Sequence, residues 1–416
     1  MSASLVFSLK TKEFIYKGDV MKAVILAANR SNRLSPFIET RCKPMIRIAG
    51  QYILENTICF LKEAGINDIV LVVNHQQDLV RRYFGSGKIL GVNLEYVVQD
   101  ELQGIGQALS LCQSSLEKKP FLLVYGDVMT DYNPFLSILQ TYSEMDKEVA
   151  LIALPESSKE FGNVYLDHEM KISRLVEKPQ ANQANYVFAG MFVLFPQIFS
   201  LLEEHQNDIS HCYGKMIETS GLQACLWEKG WIDMIHPWHI LEANRMLMSS
   251  WKTAEIDSTA KLLGHVHLEG SVRIGQNVTV ESGTVLKGPC YIGSNSYVGN
   301  NSLIRNYSAI GPDSIVGYGS ELKNCVLFGN NDVGRLSFVG DSVLGENVKS
   351  GSGLTTVNHT VDYSRITCKS NSDSIETGLT KLGAFIGDNV SIGARHTLGP
   401  GTIVESGKIV ADNITL

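Results

Sequence analysis

From Leu262 onward the chain repeats every six residues. Leu262, Leu268, Ile274, Val280, Leu286, Ile292, Val298, Ile304, Ile310, Val316, Leu322 and Phe328 are twelve apolar residues in unbroken register. Four positions after each of the first eleven stand Val266, Val272, Val278, Thr284, Cys290, Ser296, Ser302, Ser308, Ser314, Ser320 and Val326, all small or β-branched. Neither a helix nor a hairpin sheet has that period. A solenoid of short parallel strands does, because one apolar residue per flat side points inward and small residues fit the corners between sides. The register slips near Asp332 to Val339 and resumes as Ile386, Ile392, Leu398, Val404 and Val410. The polar stretch Val357 to Thr380 reads as a loop projecting from the solenoid.

The first half has another rhythm. From Met21 to about Met248, short apolar runs alternate with helical patterns, which predicts a parallel sheet covered by helices. The runs KAVILAA, DIVLVVN, LEYVVQ, PFLLVYGD, VALIALP and YVFAGMFVLF are the expected strands, and Ile53 to Ala64 carries apolar residues at helical spacing. Three segments follow: an N-terminal extension over 1–20, an α/β domain over 21–250 and the solenoid over 251–416. A chain of 416 residues is long enough for two cores.

Composition narrows the function classes. The net charge of -7 does not favour nucleic acid or an anionic membrane as partner. No apolar run approaches the ~18 residues of a membrane span, and residues 1–20 lack the apolar core of a secretion signal. The eight cysteines are scattered with no C-x-x-C pair or zinc spacing, so they read as reduced thiols of a cytoplasmic protein.

Candidate chemistry clusters where such sheets bind ligands, at the carboxyl ends of strands. After KAVILAA comes a polar loop, NRSNRLSPFIETRCKPM, carrying Arg30, Arg33, Arg41 and Lys43. Asp127 ends LLVYGD, where it is placed to hold Mg²⁺ against a phosphate; it reads equally as a turn carboxylate. WIDM supplies a second carboxylate, Asp233, ahead of the helical run HPWHILEANRML. Mg²⁺ takes few protein ligands, so two separated carboxylates suit it. LVEKP adds Glu177 and Lys178, which suit sugar hydroxyls and a sugar phosphate, or a surface ion pair.

The order of these pieces, from the Arg33 and Lys43 loop through VVQDELQGIGQAL, YGD, FGNV, VEKP, AGMFVL and WIDM, resembles the sugar-1-phosphate nucleotidylyltransferase family over roughly residues 21–248. The hexads resemble the left-handed parallel β-helix of hexapeptide-repeat proteins. Together they resemble the bifunctional uridylyltransferase and acetyltransferase of UDP-N-acetylglucosamine synthesis, of archaeal type. The resemblance implies a Rossmann-like nucleotidyltransferase domain followed by a left-handed β-helix, homotrimerisation through that helix, and a role in cell-envelope polysaccharide synthesis. It implies that Arg33 and Lys43 stabilise phosphate charge and that Asp127 and Asp233 hold Mg²⁺. Ala27, Ala28 and Asn29 would meet the nucleotide, Gln99 and Gly104 its pyrimidine, and Gly162, Glu177, Lys178 and Gly190 the sugar phosphate. The substrates would be a pyrimidine nucleoside triphosphate and a hexose 1-phosphate.

This chain departs from the family pattern in two places. Where the pattern is close to L-A-A-G-x-G-T-R-L it reads LAANRSNRL, with Asn29 and Ser31 in place of two glycines, and Ile105 replaces a common threonine. Glycine permits positive φ and close approach to phosphate, and Asn tolerates the left-handed region better than most residues. The presence of Arg33, Lys43, Asp127 and Asp233 favours a working site over a nucleotide-sugar sensor or scaffold. In the solenoid, Arg305 and Lys323 match phosphate-contacting residues and Asn358 a sugar-contacting one. Arg335, however, stands where an acetyltransferase has its basic histidine, and arginine cannot accept a proton. Acetyl-CoA is therefore a doubtful ligand, and a solenoid acyltransferase would need another base, for which His359 is the candidate.

Overall fold

The protein is described by a computed structural model covering residues 21–28, 32–74, 77–101, 103–116, 118–155, 161–177, 186–370 and 373–412. The 1–20 extension, Asn29, Ser31 and Lys178 lie outside the described residues. Nine strands build the first sheet: β1 Lys22–Leu26, β2 Asp68–Val73, β3 Asn93–Val98, β4 Phe121–Tyr125, β5 Val149–Ala153, β6 Gly162–Leu166, β7 Lys171–Glu177, β8 Tyr186–Leu194 and β9 Leu222–Trp227. Their spatial order is β3-β2-β1-β4-β8-β5-β9-β7-β6.

All six expected strands form, and Ile53–Glu63 is a helix as its spacing predicts. The sheet is mixed rather than parallel. Strands β3, β2, β1 and β4 run parallel, whereas β8 lies antiparallel to both β4 and β5. A continuous apolar run such as YVFAGMFVLF shows that a strand is buried on both sides, but says nothing about its direction. Two apolar clusters cover the faces of the sheet. Ile25, Leu71 and Val124 belong to one, Val24, Val70 and Leu123 to the other, as the period of two requires.

The second half is a three-sided prism. Its faces contain eight, eight and seven strands, each paired in parallel with the next rung. Ile274, Ile292 and Ile310 point inward from the first face, Val280, Val298 and Val316 from the second, and Leu286, Ile304 and Leu322 from the third. The corner serines Ser296, Ser302, Ser308, Ser314 and Ser320 are buried, and Ser296 and Ser302 donate to the backbone oxygens of Gly311 and Gly299. That is how a hydroxyl tolerates burial. Asn277, Asn295, Asn330, Asn347 and Asn389 hold corners at positive φ and ladder to neighbouring rungs through side-chain hydrogen bonds.

The register changes earlier than the hexad count places it. Register pairs Val298 with Val316 but Val316 with Val333, shortening the coil from eighteen residues to seventeen. The corner between the third and first faces is responsible. Asn306 and Tyr307 both turn through positive φ on one rung, whereas Asn324 alone does so on the next and Asp341 on the one after. Leu327 thus becomes the inward residue, and Phe328 faces out. Val333, Val339 and Leu344 continue the interior, so the slip is a one-residue shortening and not an interruption.

Phe328 turns toward the first domain. The outward residues of the first face, Tyr291, Ala309, Val326, Val343, Phe385 and Ile403, form one cluster with Leu34, Phe37, Ile46 and Ile48 and with Ile240 and Ala243 of the helix His239–Ser249. Phe37 packs its ring 5.2 Å from Phe328 and 6.4 Å from Phe385. Asn244 of that helix, fully buried, accepts from Ala49 N at 2.9 Å and donates to Tyr307 O at 2.7 Å, tying both domains to one side chain.

The 357–380 insertion also differs from expectation. It carries an antiparallel hairpin, Thr367–Ser370 with Asp373–Glu376, and its Ile366 and Cys368 join the same interdomain cluster. It folds back on the first face rather than simply projecting. All eight cysteines are free, seven of them buried. Among the described residues no helix is long and apolar enough to cross a membrane.

Leu322 is fully buried in the prism. Leu322→Ala is expected to destabilise the chain by about 2–5 kcal/mol in denaturant unfolding, through lost transfer energy and the cavity left behind.

Candidate active site

Strands β1 and β4 are neighbours, with Leu26 opposite Tyr125. The strand order reverses between them, and their carboxyl ends flank the crevice where open α/β sheets take ligands. Gly126 N donates to Leu26 O at 3.0 Å, and a Cβ at Gly126 would stand 2.7 Å from that oxygen. Glycine there lets the chain pass close over the end of β1, and Asp127 follows.

Lys43 lies at the centre. It opens a short helical turn, Lys43–Met45, at the end of the loop after β1, and its side chain is buried. Its Nζ donates to Asp127 Oδ2 at 2.9 Å. Asp233 arrives on the strand Trp231–Asp233, which pairs antiparallel with Val128–Thr130, placing Asp233 opposite Val128. Met234 N also donates to Asp127 O at 3.0 Å, so the two acidic segments are zipped together. Burial, the largest influence, pulls the Lys43 ammonium pKa down. Asp127 and Asp233 override it, and the pKa stands above the ordinary lysine value despite repulsion from Arg33. Arg33 itself is exposed on the short helix Asn32–Leu34. The structure thus brings Arg33, Lys43, Asp127 and Asp233 together around one crevice.

The other predicted residues line the same edge. Ala27 and Ala28 are buried at the end of β1; Ala27 N donates to Val72 O at 2.8 Å, and Asn74 Nδ2 donates to Ala28 O at 2.9 Å. Gln99, also buried, donates through Nε2 to Gly104 O at 3.2 Å and to Gln107 Oε1. Gly104 has φ +97, with open space where a Cβ would be. Gly162 pairs with Glu177, whose Oε2 would stand 2.9 Å from an added Cβ. Gly190, at φ +77, lies against the ring of Tyr125.

Three participants were not singled out from the sequence. Tyr125 is buried where it senses Glu177, Asp127 and Asp233; burial chiefly, then those carboxylates, pushes its phenol pKa up against the lowering contact with Tyr213. His236 is pushed down to about 4, first by burial and then by Arg33 and Lys43, so it is a neutral imidazole beside the cations at pH 7. Asn74 holds the carbonyl of Ala28. Their positions, one residue before GD, just after WIDM and at the end of DIVLVVN, were the available signals.

In the solenoid, Lys287, Arg305 and Lys323 stack in register on the third face. Arg305 is paired with Glu321 at 2.6 Å and Lys323 with Asp341 at 3.2 Å. Asp341 also accepts from Asn358 at 2.5 Å and Asn324 at 2.6 Å. Lys323 and Asn358 are therefore gathered on one carboxylate, with Arg305 one rung away. Arg335 is exposed, and His359 stacks on Tyr363 at 4.7 Å with Nδ1 2.9 Å from Thr360 O.

A family model described as nucleotidyl transferase matches residues 22–250, more than half of the chain. The chain belongs to that family. A second model, described as the GMPPB C-terminal domain, matches residues 286–372 of this nucleotidyltransferase. It is 33% identical over 407 residues to the bifunctional protein GlmU of Methanococcus maripaludis, covering 94% of each chain. It is 29% identical to a bifunctional sugar-1-phosphate nucleotidylyltransferase/acetyltransferase of Sulfurisphaera tokodaii, over 92% of this chain and 93% of that one. A solved putative glucose-1-phosphate thymidylyltransferase from Bacillus anthracis superposes with TM-score 0.52 at 22% identity, covering 56% of this chain and 98% of its own; that likeness speaks to fold. The protein is an enzyme of the sugar-1-phosphate nucleotidylyltransferase family.

Removing Lys43 leaves Asp127 without its buried partner, whereas Arg33 is solvated. Lys43→Ala is expected to cost about 3–5 kcal/mol of stability and Arg33→Ala less than about 0.5, measured by denaturant titration. Both are expected to lower turnover by about 10²–10³-fold, the range for losing one preorganised charge contact.

Proposed function

We propose that this protein transfers a nucleotidyl group from a pyrimidine nucleoside triphosphate to a hexose 1-phosphate, releasing pyrophosphate and forming a UDP- or dTDP-sugar. The observation that carries this reading is the convergence of two cations and two carboxylates on one crevice, with Lys43 bonded to Asp127 and drawn also by Asp233. Asp127 and Asp233, which already act together on one cationic group, have the hard oxygens that suit Mg²⁺, and they would hold it. When bound, that ion would neutralise charge on the triphosphate and on the departing pyrophosphate.

The residues divide the remaining work. Arg33 and Lys43 would hold the triphosphate and oppose the charge that builds on it. Ala27, Ala28 and Asn29 would let the backbone approach the nucleotide, and Gln99 and Gly104 would read the base. Gly162, Glu177, Lys178 and Gly190 would orient the sugar phosphate. An oxygen of the sugar phosphate attacks the α-phosphorus in line; the bond to the bridging oxygen breaks, and pyrophosphate leaves with that electron pair. No covalent link to the protein is required, so positioning and cationic stabilisation suffice.

Acetyl transfer is not part of this proposal. Arg335 cannot serve as base, and the Asp341 carboxylate is already engaged by three donors, Lys323, Asn324 and Asn358. The solenoid is instead assigned to assembly as a homotrimer, supported by the exposed Tyr297, Ile315, Tyr318 and Leu336 on sides that the first domain leaves uncovered.

The test is pyrophosphate release over a panel of nucleoside triphosphates and hexose 1-phosphates with Mg²⁺. Turnover with a uridine or thymidine triphosphate, abolished in Asp127→Asn and by chelation, is expected. A folded protein that turns over no pair but binds nucleotide sugar would instead be a sensor.

A further inference from the structure

The loop that carries the site's cations is not free to choose its own shape. Between Arg33 and Lys43 it is fastened to three successive rungs of the β-helix, those ending at Glu346, Asp388 and Ser406. Arg41, almost fully buried, bonds through Nη2 to Asp388 and to Glu346 Oε2 at 3.1 Å, with its guanidinium 5.1 Å from the ring centre of Phe328. Thr40 donates to the same Asp388 carboxylate. Ser406 N donates to Glu39 Oε2 at 2.9 Å, and Ser406 Oγ to Pro36 O at 3.3 Å.

Asp388 is built into this place. It is buried, its Oδ1 accepts from Glu346 N at 2.6 Å, and Gly345 leaves it room, since a Cβ there would stand 2.3 Å from that oxygen. Lys43 follows Arg41 by two residues, and the turn it opens is closed by Met45 N on Cys42 O at 2.9 Å and Ile46 N on Lys43 O at 3.0 Å.

We infer that Arg41 and Asp388 are positioning residues for nucleotidyl transfer: the β-helix holds the cation-bearing loop so that Lys43 meets Asp127 and Asp233 before substrate arrives. The chemistry favours this over a merely adhesive role. A buried ion pair adds little net stability over an apolar pair of the same shape, yet here one nitrogen, Nη2, is held by two carboxylates on neighbouring rungs while Thr40 bonds the same Asp388, which fixes where the loop sits. Apolar packing of Phe37 on Phe328 and Phe385 already supplies the adhesion. Charge stabilisation in the transition state, in turn, is worth most when the charged group needs no reorganisation. The inference rests on the assignment of Arg33 and Lys43 to the reaction proposed above.

Asp388→Asn keeps the shape and removes the charge, at a residue far from the crevice in sequence. Two readouts separate this inference from the reaction assignment. In hydrogen exchange of the full-length protein, the amides of Met45 and Ile46 are expected to lose protection at least tenfold in Asp388→Asn, while those of the β1 strand keep theirs. In the pyrophosphate assay, kcat is expected to fall tenfold or more with KM within threefold. Arg41→Lys should be milder than Arg41→Ala, and Arg41→Ala combined with Asp388→Asn little worse than either alone. Leu286→Ala, which weakens the prism without touching the loop, should lower the unfolding midpoint and leave kcat unchanged at a temperature where it is folded. Unchanged protection in Asp388→Asn overturns the inference even if the parent has no activity; a parent inactive on every pair overturns only the reaction assignment. Unchanged kcat in Asp388→Asn, or an equal loss in folded Leu286→Ala, also overturns it.

Discussion

The structure depends on one flat face. Packing a solenoid from rungs of constant shape lines up the outward residue of each rung, so Tyr291, Ala309, Val326, Val343, Phe385 and Ile403 form a column. An apolar column of that length needs cover. The loop after β1 and the helix His239–Ser249 provide it. The one-residue corner at Asn324 matters here because it shifts the rung by a single position, turning Phe328 out of the prism and against Phe37. Without that shift the aromatic would lie on the interior and the loop would lose its principal apolar anchor.

Buried charge at the crevice then follows a simple economy. Lys43 is taken out of water at a cost that no neutral environment would meet, and two carboxylates on adjoining antiparallel segments compensate it. Those same carboxylates meet the Lys43 ammonium directly, Asp127 through a 2.9 Å hydrogen bond. The arrangement is therefore self-consistent before any ligand is added, and a polyphosphate with its metal ion would redistribute charges already assembled rather than create a new field. His236, held neutral beside Arg33 and Lys43, adds hydrogen-bonding capacity without adding positive charge.

Much of this was legible in the residues. The hexads identified a stacked β-solenoid and most of its interior, because a period of six has few physical explanations; its three sides came with the resemblance to hexapeptide-repeat proteins. The apolar runs gave six strands of the main sheet, and the strand-end rule put Lys43 and Asp127 on one edge. Three things were hidden. Strand direction in the second part of the sheet is not encoded in hydrophobicity, so the run that forms β8 reads like any parallel strand although it pairs antiparallel. Phe328 is apolar and falls on the sixth position, and nothing local distinguishes it from Leu327; the informative residue was Asn324, which turns a corner alone where Asn306 shares the turn with Tyr307. And the Arg41–Asp388 contact joins residues more than three hundred positions apart, which periodicity cannot reveal.

The third face of the prism shows how a retained pattern can take a different physical meaning. Arg305 and Lys323, which the resemblance would make phosphate-contacting, each have a carboxylate on an adjacent rung: Glu321 for one, Asp341 for the other. A phosphate arriving here would compete with those partners. Asp341 is the harder of the two to displace, being buried and hydrogen-bonded by Asn324 and Asn358 as well as Lys323, and serving as the left-handed corner of its rung. Its carboxylate is thus committed to holding the corner closed, and Arg335 lies exposed on the same coil. On this chain these residues form a braced corner of the solenoid, with Lys323, Asn324 and Asn358 all held by one carboxylate.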